Sequence, residues 1–122
     1  MSVVFLLDEN LLGRLFNAIE RHNREGLPPL DVVCVGQSDD LPLSSSDPMI
    51  LLWAERENRI LVSADCNTLP NHLANHLAAG HHSPGVFLVR PGTSLNALVE
   101  HLALVAHASD EYEWRDHIEF VP

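Results

Sequence analysis

Three aspartates fall where an α/β chain assembles chemistry. Asp8 follows the apolar run Val3-Val4-Phe5-Leu6-Leu7, and Asp65 follows Ile60-Leu61-Val62-Ser63-Ala64. Asp47 heads the segment that leads into the second of these runs. Ligands of open α/β sheets bind beyond the carboxyl ends of the strands. If the two runs are neighbouring strands, about 4.8 Å apart, Asp8 and Asp65 face one crevice. Carboxylates so placed suit a hard cation such as Mg²⁺ or Mn²⁺. Such an ion polarises a phosphoryl oxygen and lowers the pKa of bound water. Each acid also has a plainer reading. Asp47 precedes Pro48 as a helix-capping acid would, and Asp8 and Asp65 suit turns. Glu9 is either a ligand or an acid favoured at a helix start.

The elements that must position these acids follow from periodicity. Residues 3–7 are apolar without alternation, as in a strand covered on both faces. Leu11, Leu12, Leu15, Phe16 and Ile19 predict a helix over residues 11–22. Residues 23–29 break it, and residues 30–35 form a second strand. Residues 36–46 read as a loop, residues 47–58 as a helix and residues 60–62 as a third strand. A helix over residues 68–79, a strand at 86–89, a helix from Leu95 to about Val105 and an alternating strand at 118–121 complete the chain. The alternation predicts one domain over residues 1–122, a three-layer α/β/α fold with a mostly parallel sheet of about five strands. The expected order is 2-1-3-4 with the fifth strand at an edge, its direction left open.

With 122 residues and 46% hydrophobic content, the chain can bury a proper core. It has no apolar run long enough for a membrane span and no basic segment before residues 3–7. A cytoplasmic protein with Cys34 and Cys66 reduced is expected. The formal net charge is −10, and all seven basic residues are arginines. This balance opposes a plain nucleic-acid-binding module. It fits a bound cation or a basic partner protein.

The succession of motifs resembles PIN-like domains of the DUF5615 type, relatives of the toxin ribonucleases of bacterial toxin–antitoxin pairs. The matching pieces are Phe5-Leu6-Leu7-Asp8-Glu9-Asn10, then Asp47 heading Ile50-Leu51-Leu52-Trp53-Ala54, then Arg59-Ile60-Leu61-Val62-Ser63-Ala64-Asp65, and Pro84-Gly85-Val86. The likeness covers about the first 90 residues. It implies a Mg²⁺- or Mn²⁺-dependent ribonuclease in which Asp8, Asp47 and Asp65 are catalytic and hold the metal. It also implies RNA as substrate and an antitoxin protein as partner, with a homodimer left open. The chain departs from the pattern at Asn67, where the family often has a second Asp. An amide oxygen at Asn67 can still ligate, without the charge. Arg14 and Arg90 are the candidate contacts to substrate phosphate.

His72 and His76 share a helix face, with Cys66, His81 and His82 nearby, but the spacing lacks a tight zinc motif. The histidines, with His101 and His107, read as solvated helix faces. A receiver-like acidic pocket would need a lysine after the last strand, and this chain has none. A non-catalytic interaction module is the alternative function.

Overall fold

The computed structural model describes residues 3–11 and 13–122. Five strands form one sheet in the order β2-β1-β3-β4-β5: β1 Phe5–Leu7, β2 Val32–Cys34, β3 Ile60–Ser63, β4 Val86–Val89 and β5 Ile118–Val121. Every neighbouring pair is parallel, including β4 with β5. The central strands are buried throughout, which is why they read as unbroken apolar runs.

The pleat divides these side chains between two cores. Phe5, Leu7, Ile60, Val62 and Phe87 point to α1 (Arg14–Arg24) and α4 (Leu95–Ala108). Leu6, Leu61, Val86 and Leu88 point to α2 (Asp47–Glu57) and α3 (Leu69–Ala78). The three layers expected from the alternation are therefore present. By the same count, Asp8 and Ser63 continue the parity of Leu6 and Leu61, so they lie on the α2/α3 side.

The β4–α4–β5 connection runs in the opposite sense to the others. Stepping from β2 to β3 and from β3 to β4 carries the chain across the sheet under α2 and α3. The next step, in the same direction, passes instead over the α1 face, where α4 packs on α1. Crossovers share one hand in nearly all sheets, so α4 is the exception here.

The predicted first helix is two pieces. Glu9–Leu11 is a short 3-10 turn, and the α-helix starts only at Arg14. Leu12, placed on the apolar side of that helix, lies outside the described residues. The cap of α2 is Ser46, whose Oγ accepts from the Met49 N–H at 3.4 Å; Asp47 is already helical. Asp47 is thereby freed from the capping role read from the sequence. The polar stretch before β5 holds a 3-10 turn, Glu111–Trp114, closed by a capping box between Asp110 and Glu113. Gly85 is required where this turn meets β4. Its φ is +134°, and a Cβ there would lie 2.8 Å from the Trp114 carbonyl oxygen. At the amino ends of the central strands, the largely buried Arg59 donates from Nη1 to the Phe5 carbonyl at 3.0 Å and to Asp31 Oδ1 at 2.9 Å. Among the described residues, no helix is long and apolar enough to cross a membrane.

Candidate functional site

Register sets the first cluster. Leu7 pairs with Val62, so Asp8 and Ser63 come side by side where β1 and β3 end. The Asp8 N–H donates to the Val62 carbonyl at 2.9 Å, which fixes the backbone at this point. Ser63, fully buried, donates from Oγ to Asp8 Oδ2 at 2.8 Å and accepts from the Asp65 N–H at 3.1 Å. One hydroxyl thus links the two aspartates. Asp8 Oδ1 accepts from the Glu9 N–H at 2.8 Å. Burial pushes the Asp8 carboxyl up, the Ser63 and Glu9 hydrogen bonds pull it down, and the charges of Asp47 and Glu9 push it up again. The net direction is up.

His72 stands near both Asp47 and Asp65. The imidazole Nε2 lies 3.6 Å from Asp47 Oδ2. Hydrogen bonds from Thr68 chiefly hold the Asp65 carboxyl below its ordinary value, with a smaller contribution from His72. The main partner of Asp65 is Thr68, through its hydroxyl and its N–H. Asp65 Oδ1 accepts from the N–H groups of Asn67 and Thr68, each at 3.0 Å, and so caps the approach to α3.

The other residues predicted from sequence are placed as follows. Glu9 Oε1 accepts from the Ser44 N–H at 2.7 Å and ties down the loop before α2. Asn67 is exposed beside Asp65. Arg14 is exposed at the start of α1. Arg90 is turned to the end of β5, with its guanidinium 5.6 Å above the Phe120 ring and Nε donating to the Pro122 carbonyl at 3.3 Å. Cys34 is buried, its thiol pushed up to about 11 by burial and by Glu20, and Cys66 is half-buried; both are free thiols.

A second cluster lies at the amino ends of the strands, where the sequence suggests solvated histidines without a tight zinc spacing. His76 is instead 7% exposed. Its Nε2 lies 2.9 Å from the His82 carbonyl and 3.4 Å from Glu55 Oε1. His81 Nδ1 lies 3.1 Å from the same Glu55 oxygen, and the two rings stack with centroids 4.8 Å apart. Glu55 Oε2 accepts from the His82 N–H at 2.9 Å. Beyond it, His82 Nδ1 lies 2.8 Å from Asp116 Oδ2, while Asp116 Oδ1 accepts from the Ser83 N–H at 2.7 Å. His101 also packs inward, 6.3 Å from the Phe87 ring, and burial lowers its pKa. The ring of His107 meets the Pro29 carbonyl at 3.1 Å.

Among the described residues, Glu55, His76 and His81 form the group of three whose metal-ligating atoms all lie within 4.8 Å of one another. Asp8, Asp47 and Asp65 are not brought into such a group. Asp47 lies near enough for its charge to act on Asp8. The oxygens of Asp65 are already engaged by Asn67 and Thr68. Sequence reasoning missed Ser63, Glu55 and Asp116. The signal for Ser63 was present, as a hydroxyl inside an otherwise apolar buried strand. No protein-family model matches the chain, and no curated protein or solved structure is significantly similar to it.

Proposed function

We propose that the carboxylate edge is a hydrolytic site for RNA phosphodiesters, working with Mg²⁺ or Mn²⁺ in a PIN-like domain that acts as the toxin-like half of a toxin–antitoxin pair. The observation that carries this reading is Asp8. Its carboxyl stands at the end of a central strand, joined to the Asp65 backbone through Ser63 and raised in pKa partly by Asp47. A cation beside Asp8 and Asp47 would relieve that repulsion, and Asn67 lies close enough in sequence to Asp65 to offer an amide oxygen. When bound, the ion supplies a polarised phosphate and an activated water. Ser63 holds the Asp8 carboxylate in one orientation, and Glu9 anchors the loop that presents α2 and Asp47. Arg14 supplies phosphate attraction at the first helix. Arg90 would first have to leave Phe120 and the Pro122 carbonyl. With a net charge of −10, RNA affinity is low and falls as salt rises.

The experiment is RNA cleavage with Mg²⁺ or Mn²⁺ by wild type, Asp65→Asn and Asn67→Asp. Metal-dependent cleavage that falls in Asp65→Asn and rises in Asn67→Asp supports the reading. Cleavage that survives both EDTA and Asp65→Asn overturns it.

A second reading, a non-catalytic module for a basic partner such as an antitoxin, draws on the engagement of Asp65 with Asn67 and Thr68 and on the imidazole of His72 beside Asp47. Mn²⁺ binding without cleavage by wild type or Asn67→Asp would select it.

A further inference from the structure

We propose that Glu55, His76 and His81 form a binding site for a borderline divalent cation of the Zn²⁺ type, at the opposite end of the sheet from Asp8 and independent of it. Two imidazole nitrogens and one carboxylate oxygen are a ligand set for zinc, and a poor one for Mg²⁺. The spacing is already close to that of a coordination shell. Ligands about 2.1 Å from a tetrahedral zinc stand about 3.4 Å apart. Glu55 Oε1 lies 3.4 Å from His76 Nε2 and 3.1 Å from His81 Nδ1. Only the His76–His81 edge, within 4.8 Å, has to close.

The ligands come from firm supports. Glu55 is on α2, His76 is buried on α3, and His81 directly follows the turn that ends α3. The free oxygen of Glu55 is oriented by the His82 N–H, as outer-shell bonds orient metal ligands. A fourth position is available. His76 and His81 line a cavity of about 210 Å³ that Leu52, His72 and Asn75 also line, which leaves room for water or an incoming ligand. Binding has a stated cost. His76 Nε2 must give up its proton and its hydrogen bond to the His82 carbonyl.

The test is calorimetric titration of the full chain with Zn²⁺ near neutral pH, with thermal melts alongside. Wild type should take up one equivalent, melt at a higher temperature and keep the ion in excess Mg²⁺. His81→Ala changes a half-exposed ligand, so it should fold as wild type and lose more than about 10-fold in affinity. Glu55→Gln should lose affinity as well. His22→Ala, which removes a ring that meets the Pro28 carbonyl beyond the end of α1, should bind as wild type. Absence of saturable Zn²⁺ binding, unchanged affinity in His81→Ala, displacement by Mg²⁺, or an equal loss in His22→Ala would each overturn the assignment.

Discussion

At the carboxyl ends of β1 and β3, Asp8 is held by one serine hydroxyl and one backbone N–H, and burial with two neighbouring acids moves it toward its neutral form. At the amino ends, Asp116 is also burdened by burial, but a backbone N–H from Ser83 and the imidazole of His82 move it toward its charged form. The residue type is the same and the outcome is opposite. Burial is the leading cause at Asp8 and the acids beside it add to it, whereas at Asp116 the Ser83 N–H, the His82 imidazole and the Arg115 charge together outweigh burial. The first edge gathers acids, whereas the other sets imidazoles beside its carboxylates.

The largest expected effect is on cleavage. Ser63→Ala leaves Asp8 unoriented, and metal-dependent RNA cleavage should fall about 10- to 100-fold, with Asp8→Asn falling further. Full cleavage by Ser63→Ala would break the link between the serine bridge and the site. The same substitution should destabilise the fold by about 1–3 kcal/mol in urea melts, because a buried bridge loses both its donor and its acceptor. A smaller loss, about 1 kcal/mol, is expected for Asp65→Ala, with recovery in Asp65→Asn, since the turn into α3 needs an acceptor and not a charge. Equal destabilisation by both variants would assign Asp65 an electrostatic role.

The smallest effect sharpens the comparison by its sign. The raised Asp8 carboxyl takes up its proton earlier in the folded state than in the unfolded one. As pH falls from its raised value to the ordinary carboxylate value, this site adds stability. Asp116 is lowered, so its contribution is present above the ordinary value and is lost as pH falls through the folded one. Measured by denaturation across the acid range in chelating buffer, Asp8→Asn should lose stability more steeply than wild type, and Asp116→Asn less steeply. Parallel curves for the two variants would mean that the edges do not differ electrostatically.

The strand order and three layers were legible because the core elements are either short unbroken apolar runs, as in residues 3–7, or segments of helical period, as in residues 95–105. The placement of Asp8 and Asp65 at strand ends followed from the same pattern. The break between Glu9–Leu11 and α1 was not legible, since a 3-10 turn keeps the apolar spacing of a helix start. Ser46 was overlooked because Asp47 and Ser46 are both good caps, and only the backbone decides between them. The histidine cluster was hidden for another reason. Glu55 and His81 lie 26 positions apart, and nothing in their local spacing says that α2 and α3 run side by side. Ser63 is similar, because a strand-end hydroxyl gains its meaning from Asp8 on the neighbouring strand.

The path of α4 has a consequence for how the fold opens. A crossover in the common sense would have laid that helix over Ile118 and Phe120; because it turns back to α1, these side chains stay 36% and 50% exposed, and only Val121 of β5 is deeply buried. The last strand is held chiefly by its backbone ladder to β4. Its amide protons should therefore exchange through local fraying, long before those of β1 and β3, whose release requires both cores to come apart.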